Sequence, residues 1–348
     1  MNRKPIFLNA AILSAASAVG KKEKEGPLGD LFDLHDTTDR FGAKTWEGAE
    51  SEMQRRAFNT ALGKIRMEDR DLDALFAGDL LNQCVGSAYG LLSFDIPYFG
   101  LYGACSTCAE GLLLASALVS KGALRVCGAV TSSHYCSAER QYRTPIEYGA
   151  QRTPTAQWTV TGSGAFIVAD ASKRRGRGAV IRRGLPGKVS DAGVNDANNM
   201  GAAMAPAALD TLVRFFRNTG TRPEHYDRIV TGDLGFEGGN ILSDLMRAEG
   251  FPMGNRYLDC GQLIYYRKKQ DVHGGGSGCG CSAVVLASYL LPHIESKKWK
   301  RILFLSTGAM MSPDLIKQGQ NIPAVAHLLE IVSEDLCDPS LKGEAENV

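Results

Sequence analysis

The chain repeats one strand–turn–helix pattern, and this repeat constrains the possible folds more than any other feature. Residues 72–83 (LDALFAGDLLNQ) and 226–237 (YDRIVTGDLGFE) are both short apolar runs that end in Gly-Asp-Leu. Residues 103–118 (GACSTCAEGLLLASAL) match 275–290 (GGSGCGCSAVVLASYL) in the same way, which places Cys105 opposite Ser277. The repeat indicates two copies of one unit that bury their apolar surfaces together.

A third pair of segments completes the unit. LRVCGAVTSS (124–133) matches KRILFLSTGA (300–309), and both are typical of a strand that runs into a loop. Residues 161–170 (TGSGAFIVAD) are predicted to close the first half, and the basic segment 172–184 to open the second. The sequence therefore predicts an α/β protein with halves 1–171 and 172–348, built from mostly parallel strands with helices between and outside.

Composition limits the class of partner. The formal net charge of the 348 residues is +1, so no global field favours nucleic acid or a membrane surface, and we expect no nucleic-acid partner. The basic segment 172–184 is interpreted as a solvated hairpin.

The nine cysteines are odd in number and several lie in apolar contexts, which is typical of reduced thiols in a cytosolic protein.

Two cysteine pairs have spacings that also occur in metal sites. Cys105 and Cys108 form C-x-x-C, and Cys279 and Cys281 form C-x-C. Structural zinc sites place such pairs in polar knuckles, whereas these lie in Gly/Ala-rich turns that lead into apolar helices. We therefore predict no metal site, with zinc or a redox disulfide as the alternative.

The first twenty residues resemble a signal peptide, because two basic residues precede an apolar run that ends in Ala16-Ser17-Ala18. Asn9 interrupts the run, and the cysteine content indicates a reducing compartment. We interpret the segment as a buried first strand. No run of 18 apolar residues occurs elsewhere, so no transmembrane helix is predicted.

Cys105 is the principal candidate for chemistry. Small residues surround it, and an apolar run at helical spacing follows. Free backbone N–H groups at a helix start favour a thiolate, so we expect a lowered pKa and a nucleophilic thiol.

A duplicated half with a cysteine at this junction resembles the thiolase and ketoacyl-synthase superfamily. Longer segments are similar to the stage V sporulation protein AD family of spore-forming bacteria. They span about residues 5–330 and include FAGDLLNQ, YGACSTC, TSSHYCSAERQYRTPIEYGAQ, TVTGSGA, AMAPAALDT, TGDL and GGGSGCGCSAVV. The resemblance implies a thiolase-like fold, with two βαβαβαββ halves in a five-layer α-β-α-β-α sandwich.

The chain departs from the catalytic pattern of that superfamily. Condensing enzymes pair the cysteine with His/Asn or His/His from the second half, where this chain has Asp233 and Ser277. An ionised aspartate cannot donate to an oxyanion, and a serine offers one hydroxyl. His273 and His134 are the remaining candidate bases. We expect Claisen chemistry to be lost, while slow acyl transfer through Cys105 remains the alternative.

The resemblance implies a protein that binds dipicolinic acid (pyridine-2,6-dicarboxylate) for uptake into the forespore. It implies no cofactor, and calcium only as calcium dipicolinate. Membrane subunits of the spore uptake complex are the expected partners. The chain would be made in the cytoplasm and associate peripherally with the spore inner membrane. Dimers are common in this fold, so we expect a homodimer through the first-half sheet.

Residues 132–152 are the candidate dicarboxylate site, because arginine forks and aromatic rings suit a planar dianion. The alternative is that these side chains form internal ion pairs that hold a loop. Cys105 and Ser277 complete the predicted ligand set. Its other members are His134, Glu139, Arg140, Arg143 and Tyr148, with Tyr142 and Arg152 nearby.

Three classes of function remain open from the sequence. The first is a binding protein for dipicolinate, and the second is an acyltransferase or condensing enzyme that works through Cys105. The third is a non-catalytic scaffold of a membrane complex. Asp233 and Ser277 favour the first and third classes.

Overall fold

A computed structural model describes residues 4–142, 152–173 and 178–333. The strands in these ranges are β1 (Ile6–Val19), β2 (Leu34–His35), β3 (Ala74–Gly78), β4 (Tyr98–Leu101), β5 (Val126–Ser133), β6 (Trp158–Thr159), β7 (Gly162–Asp170), β8 (Ala179–Leu185), β9 (Arg228–Thr231), β10 (Tyr257–Asp259), β11 (Gly276–Ser277), β12 (Arg301–Ala309) and β13 (Ala324–Ser333). The helices are α1 (Lys21–Lys24), α2 (Trp46–Lys64), α3 (Val85–Gly90), α4 (Thr107–Ser120), α5 (Tyr135–Tyr142), α6 (Met200–Thr219), α7 (Gly235–Ala248), α8 (Cys260–Leu263), α9 (Cys279–Val285), α10 (Leu291–Glu295) and α11 (Pro313–Lys317).

The two halves have the same strand order. The first half runs β4-β3-β5-β7-β1, and the second runs β10-β9-β12-β13-β8. In each half the first three of these strands are parallel and the last two pair antiparallel. The duplication that the sequence predicts is therefore present in the strand pairing. Antiparallel pairing of β1 with β8 joins the halves, with Ile12 opposite Ala179.

The helices and half-sheets form five layers. Helices α4 and α9 pack against each other and touch strands of both halves, so they form the middle layer. Helix α2 covers the outer face of the first half, and α6 covers that of the second. The α-β-α-β-α arrangement expected from the resemblance is confirmed.

Burial follows from the side-chain patterns. Helix α4 is apolar on most sides, with Leu112 and Val119 among its buried residues, as the middle layer requires. Helix α2 buries one stripe that includes Met53 and Phe58, while Arg55 and Arg56 on its other side reach the surface and pair with Glu52. Strand β3 is buried at every residue, as expected for a parallel strand covered on both faces.

The N-terminal apolar run is a strand, as interpreted from the sequence. Residues 6–19 form β1, which lies at the centre of the sheet between β7 and β8. Strands β7 and β8 are the two neighbours of β1 in the sheet. No helix in the described ranges is long and apolar enough to cross a bilayer.

Close contact between β7 and α9 holds the middle layer against the first half-sheet. A Cβ on Gly164 would lie 2.7 Å from backbone and side-chain atoms of Ala283. Real Cβ atoms do not approach so closely, so a side chain here would push α9 from the sheet.

We predict that Gly164→Ala lowers the free energy of unfolding by about 1–3 kcal/mol, the usual cost of overpacking a core. Gly63→Ala is the matched control, because nothing lies within 4 Å of the added methyl near the end of α2. It should raise the free energy by up to about 1 kcal/mol. Denaturant unfolding measures both. Equal stability of G164A and the parent chain would contradict the packing argument.

Candidate ligand cavity

A cavity of about 250 Å³ opens where the two halves meet. Its walls come from the loops after β3 and β12 and from the starts of α4, α6 and α9. The lining residues are Leu80, Tyr102, Ala104, Cys105, Ala138, Glu139, Tyr142, Thr159, Ala197, Met200, Ser277, Gly278, Ala309, Met310 and Met311. A mostly apolar wall with a few polar groups is typical of a small-molecule site.

Cys105 lies on a tight turn at the floor of the cavity. The turn covers Ala104–Ser106 and leads directly into α4. Ala104 has a φ of +49°, a left-handed conformation that is unusual for a residue with a side chain. The Cys105 Sγ lies 3.9 Å from the Ser277 Oγ, so the residues that the repeat aligns face each other.

Asp233 is the centre of the polar network below the cavity. Its carboxylate accepts hydrogen bonds from the Thr307 hydroxyl at 2.8 Å, the Ser277 hydroxyl at 2.9 Å and the Gly278 N–H at 3.1 Å. The buried Cys105 thiol lies near enough to this carboxylate for the negative charge to act on the pKa of the thiol. Asp233 follows β9 in the chain and is buried. It thereby connects the starts of both central helices.

This environment keeps the thiol protonated. Burial raises the pKa of Cys105 well above its usual value, and the Asp233 carboxylate raises it further. Hydrogen bonds from Ser277 and Gly278 act in the opposite direction but are smaller. The expectation of a lowered pKa is wrong, because desolvation and an adjacent carboxylate outweigh the N–H groups of the helix start. Burial also raises the pKa of Asp233.

The two candidate histidines lie elsewhere. The His134 Nε2 is 2.8 Å from the Asp39 carbonyl oxygen, and its ring packs beside Trp46. The His273 Nδ1 is 2.7 Å from the Thr153 carbonyl oxygen. Neither histidine lines the cavity. Among the described residues that line the cavity with Cys105, none is a histidine or another neutral base.

Some of the other predicted ligand residues line the cavity, and others lie away from it. Glu139 lines the cavity and accepts a hydrogen bond from the Thr159 hydroxyl at 3.0 Å. Arg140 pairs with Glu47 in a neighbouring groove. Arg152 pairs with Asp271 at 2.7 Å, away from the cavity. Arg143 and Tyr148 lie outside the described residues.

The charge of the cavity is therefore unlike that of a simple dianion site. The part of the wall formed by described residues holds one carboxyl group, Glu139, and no lysine or arginine. Its uncharged donors include the hydroxyls of Tyr102, Tyr142 and Thr159. The Tyr142 hydroxyl donates to the Leu80 carbonyl at 2.7 Å, which fixes that ring at the wall.

A buried carboxyl pair behind this wall escaped the sequence analysis. Glu50 accepts hydrogen bonds from the hydroxyls of Ser132 at 2.8 Å and Ser137 at 2.7 Å. Burial, and then the nearby Asp79, raise the pKa of Glu50 to about 8. The sequence repeat could have indicated the buried position of Asp79, because it aligns Asp79 with Asp233 in the two Gly-Asp-Leu segments.

The cysteines that the structure describes form no metal centre. Each of the eight cysteines in the described ranges is a free thiol, which agrees with the reduced state expected from the sequence. Within the same ranges, no group of three His, Cys, Asp or Glu side chains is arranged to hold a metal ion. Cys108 and Cys281 are buried in the core, on the helices that begin at the cavity.

We predict that Asp233→Asn increases the rate of alkylation of Cys105 by iodoacetamide about tenfold at mildly alkaline pH. Removing the negative charge lowers the pKa of the thiol, and one pKa unit is a factor of ten in thiolate. Peptide-resolved mass spectrometry measures the rate, with the half-buried Cys136 as an internal reference. An unchanged ratio of Cys105 to Cys136 labelling would show that Asp233 does not hold the thiol protonated.

Solved structures of condensing enzymes share this fold. 3-Oxoacyl-[acyl-carrier-protein] synthase III from Aquifex aeolicus superposes with a TM-score of 0.56 at 13% identity, over 93% of this chain and 99% of that one. The synthase III from Xanthomonas oryzae gives 0.60 at 13% identity, over 94% and 99%. Cerulenin-bound OleA from Xanthomonas campestris gives 0.60 at 15% identity, over 95% and 98%. These likenesses show a thiolase-like fold.

Sequence comparison identifies the family to which the chain belongs. The family described as stage V sporulation protein AD matches residues 4–332. The stage V sporulation protein AD of Bacillus subtilis is 44% identical over 324 residues, which cover 93% of each chain. The cavity that pairs Cys105 with Asp233 and Ser277 is thus set in a sporulation protein, and the chain belongs to the stage V sporulation protein AD family.

Proposed function

We propose that the cavity beside Cys105 binds dipicolinic acid, alone or as its calcium chelate, for uptake into the forespore. The observation that carries this proposal is the burial of Cys105 in the field of the Asp233 carboxylate. A condensing-enzyme fold here retains its cavity, but a carboxylate holds the central thiol protonated. Such a site is suited to binding and poorly suited to attack on a thioester.

The shape and polarity of the cavity support a small planar ligand. Met200, Met310 and Met311 provide an adaptable apolar wall. Tyr102 and Tyr142 bring aromatic rings and hydroxyl donors to the same space. The Ser277 and Thr159 hydroxyls already donate to carboxylates, and they could turn towards a ligand that brings its own acceptors.

The charge of the cavity wall affects whether dipicolinate would bind as the free dianion or as its calcium chelate. A bare dicarboxylate would meet the Glu139 carboxyl group with no cation among the described wall residues, and an unpaired buried charge is costly. A calcium chelate carries its own counter-charge. The proposal therefore covers both forms, and Glu139 is the residue that distinguishes them.

An acyltransferase is the second candidate function, because Cys105 keeps the position of a nucleophile at the start of α4. Its raised pKa argues against efficient catalysis. A scaffold with an unused cavity is the third candidate. In both non-catalytic cases, the proposal includes binding to membrane subunits of the spore uptake complex and association with the spore inner membrane.

We predict saturable binding of dipicolinate in a calorimetric titration of the purified chain, run with and without calcium. Cys105→Ala should change the affinity less than about threefold, because the thiol supplies little binding energy. Met200→Trp fills the cavity and should weaken binding at least tenfold, about 1.4 kcal/mol. Leu315→Trp, on an exposed site of α11, is the matched control. Glu139→Gln should favour the free dianion.

An acyl-CoA control separates the alternatives. If dipicolinate does not bind and acyl-CoA adds an acyl mass to Cys105, the chain is an enzyme and the proposal is wrong. If neither ligand acts on the parent chain, the scaffold function is favoured. Equal binding by M200W and L315W would place the dipicolinate site outside this cavity.

The proposed partner also includes a second copy of the chain. Strand β4 is the free edge of the first half, and Tyr98 and Phe99 on it are 39% and 52% exposed. Exposed edge strands pair readily with another strand, and aromatic side chains strengthen such pairing. Tyr102, which follows β4, lines the cavity, so this interface would adjoin the ligand site.

We predict that the chain sediments at about twice its monomer mass of 37.4 kDa. Phe99→Lys should shift it towards the monomer, because a cation at a paired edge is unfavourable. Leu315→Lys is the control, since that side chain is equally exposed but lies on α11. A parent chain that sediments as a monomer at micromolar concentration would exclude this dimer.

A further inference from the structure

A cluster of cationic and aromatic side chains lies on the other side of β6 from the cavity. The Tyr135 ring stacks on Trp158, with ring centroids 4.0 Å apart and planes 13° from parallel. The Lys22 Nζ is 3.8 Å from the centre of the same indole ring, and the Arg152 Cζ is 4.9 Å from it. Since Tyr135 covers one face of Trp158, the ammonium must lie on the opposite face.

The positive charges in this cluster are only partly compensated. Arg152 pairs with Asp271, whose side chain is 71% exposed and also lies 3.0 Å from His273. Lys22 donates to the Gln270 carbonyl oxygen at 2.6 Å, a partner without formal charge. Burial and the neighbouring Arg152 lower the pKa of Lys22, although Glu23, Asp271 and Glu25 act in the opposite direction.

The Arg152 guanidinium has an unused donor. Its side chain is only 10% exposed, and its buried Nη1 has no hydrogen-bond partner among the described residues. A buried N–H group without an acceptor costs about 1–3 kcal/mol, and more when the group is charged. Native structures usually fill such positions with a ligand, an ion or water.

We propose that Lys22 and Arg152 form a binding site for a carboxylate or phosphate oxyanion beside the face of Trp158 on which Lys22 lies. An arginine edge is suited to two oxygen atoms of one such group, and the ammonium supplies a third donor. The oxyanion would meet the unused Nη1 and compensate the second positive charge. Nothing in this site requires the cavity to bind dipicolinate.

The site is distinct from the cavity but structurally connected to it. Successive residues of a strand point to opposite faces, and Thr159, which follows Trp158 in β6, lines the cavity. Strand β6 pairs with β11, and Thr159 of β6 lies opposite Ser277 of β11. An anion bound beside Trp158 would therefore lie one residue along β6 from Thr159, which forms part of the cavity wall.

Trp158 provides a direct reporter. The sequence contains three tryptophans, so Trp46→Phe and Trp299→Phe together leave Trp158 as the single fluorophore. This chain would be titrated with sodium phosphate and, separately, with dipicolinate, against sodium chloride at equal ionic strength. We expect a saturable change in emission with at least one of the two oxyanions and none with chloride. The phosphate arm and the dipicolinate arm distinguish the two sources of the oxyanion.

Substitutions assign the binding to the proposed side chains. Arg152→Gln and Lys22→Gln should each weaken binding of the active oxyanion about tenfold. Arg267→Gln is the matched control, because Arg267 is an exposed neighbouring cation that already pairs with Glu237. Met200→Phe, which narrows the cavity without adding a second tryptophan, should leave this binding unchanged, so failure of one site is distinguishable from failure of the other. The proposal is overturned if neither oxyanion exceeds the chloride control, or if R152Q binds as tightly as the parent chain.

Discussion

The packing of α4 against α9 between the two half-sheets is the constraint on which the rest of the structure depends. It brings two helix starts from distant parts of the chain into one place, so that the Cys105 and Ser277 side chains meet. Asp233 lies below both and accepts hydrogen bonds from the Ser277 hydroxyl and the Gly278 N–H. The contact between Gly164 and Ala283 is part of the same arrangement, because α9 can approach the sheet only where no side chain intervenes.

The charge around Cys105 is unlike that around an activated thiol. A nucleophilic thiol needs positive or polar surroundings that favour the thiolate. Cys105 instead faces a buried carboxylate, and burial raises the pKa of both groups. A substitution that placed a neutral donor at position 233 would remove the part of this effect that the carboxylate causes, while the larger part, from burial, would remain. The raised pKa of Cys105 thus depends in part on one side chain from the second half of a thiolase-like fold.

Much of the fold could be predicted from the sequence, because each half keeps its apolar runs and small-residue turns in the same order. The alignment of Cys105 with Ser277 predicted their meeting for the same reason. The pKa of Cys105 could not be predicted locally, since it depends on a carboxylate that lies 128 positions further along the chain, from position 105 to position 233. The positions of His134 and His273 depend on loop paths that carry no periodic pattern. Whether residues in the 132–152 segment contact a ligand remains a prediction.

The buried Glu50 gives the folding of this chain a dependence on the surrounding acidity. Its pKa rises from 4.5 to about 8 on folding, so near neutral pH the folded chain holds a proton that the unfolded chain releases. The stability linked to this proton is fully present below pH 4.5 and is lost as the pH rises through about 8. Burial raises the pKa of Glu23 and Asp259 to about 7, which adds to the same effect. A molecule that folds in a weakly buffered compartment would therefore take up protons from it, and acidification of that compartment would reinforce the folded state.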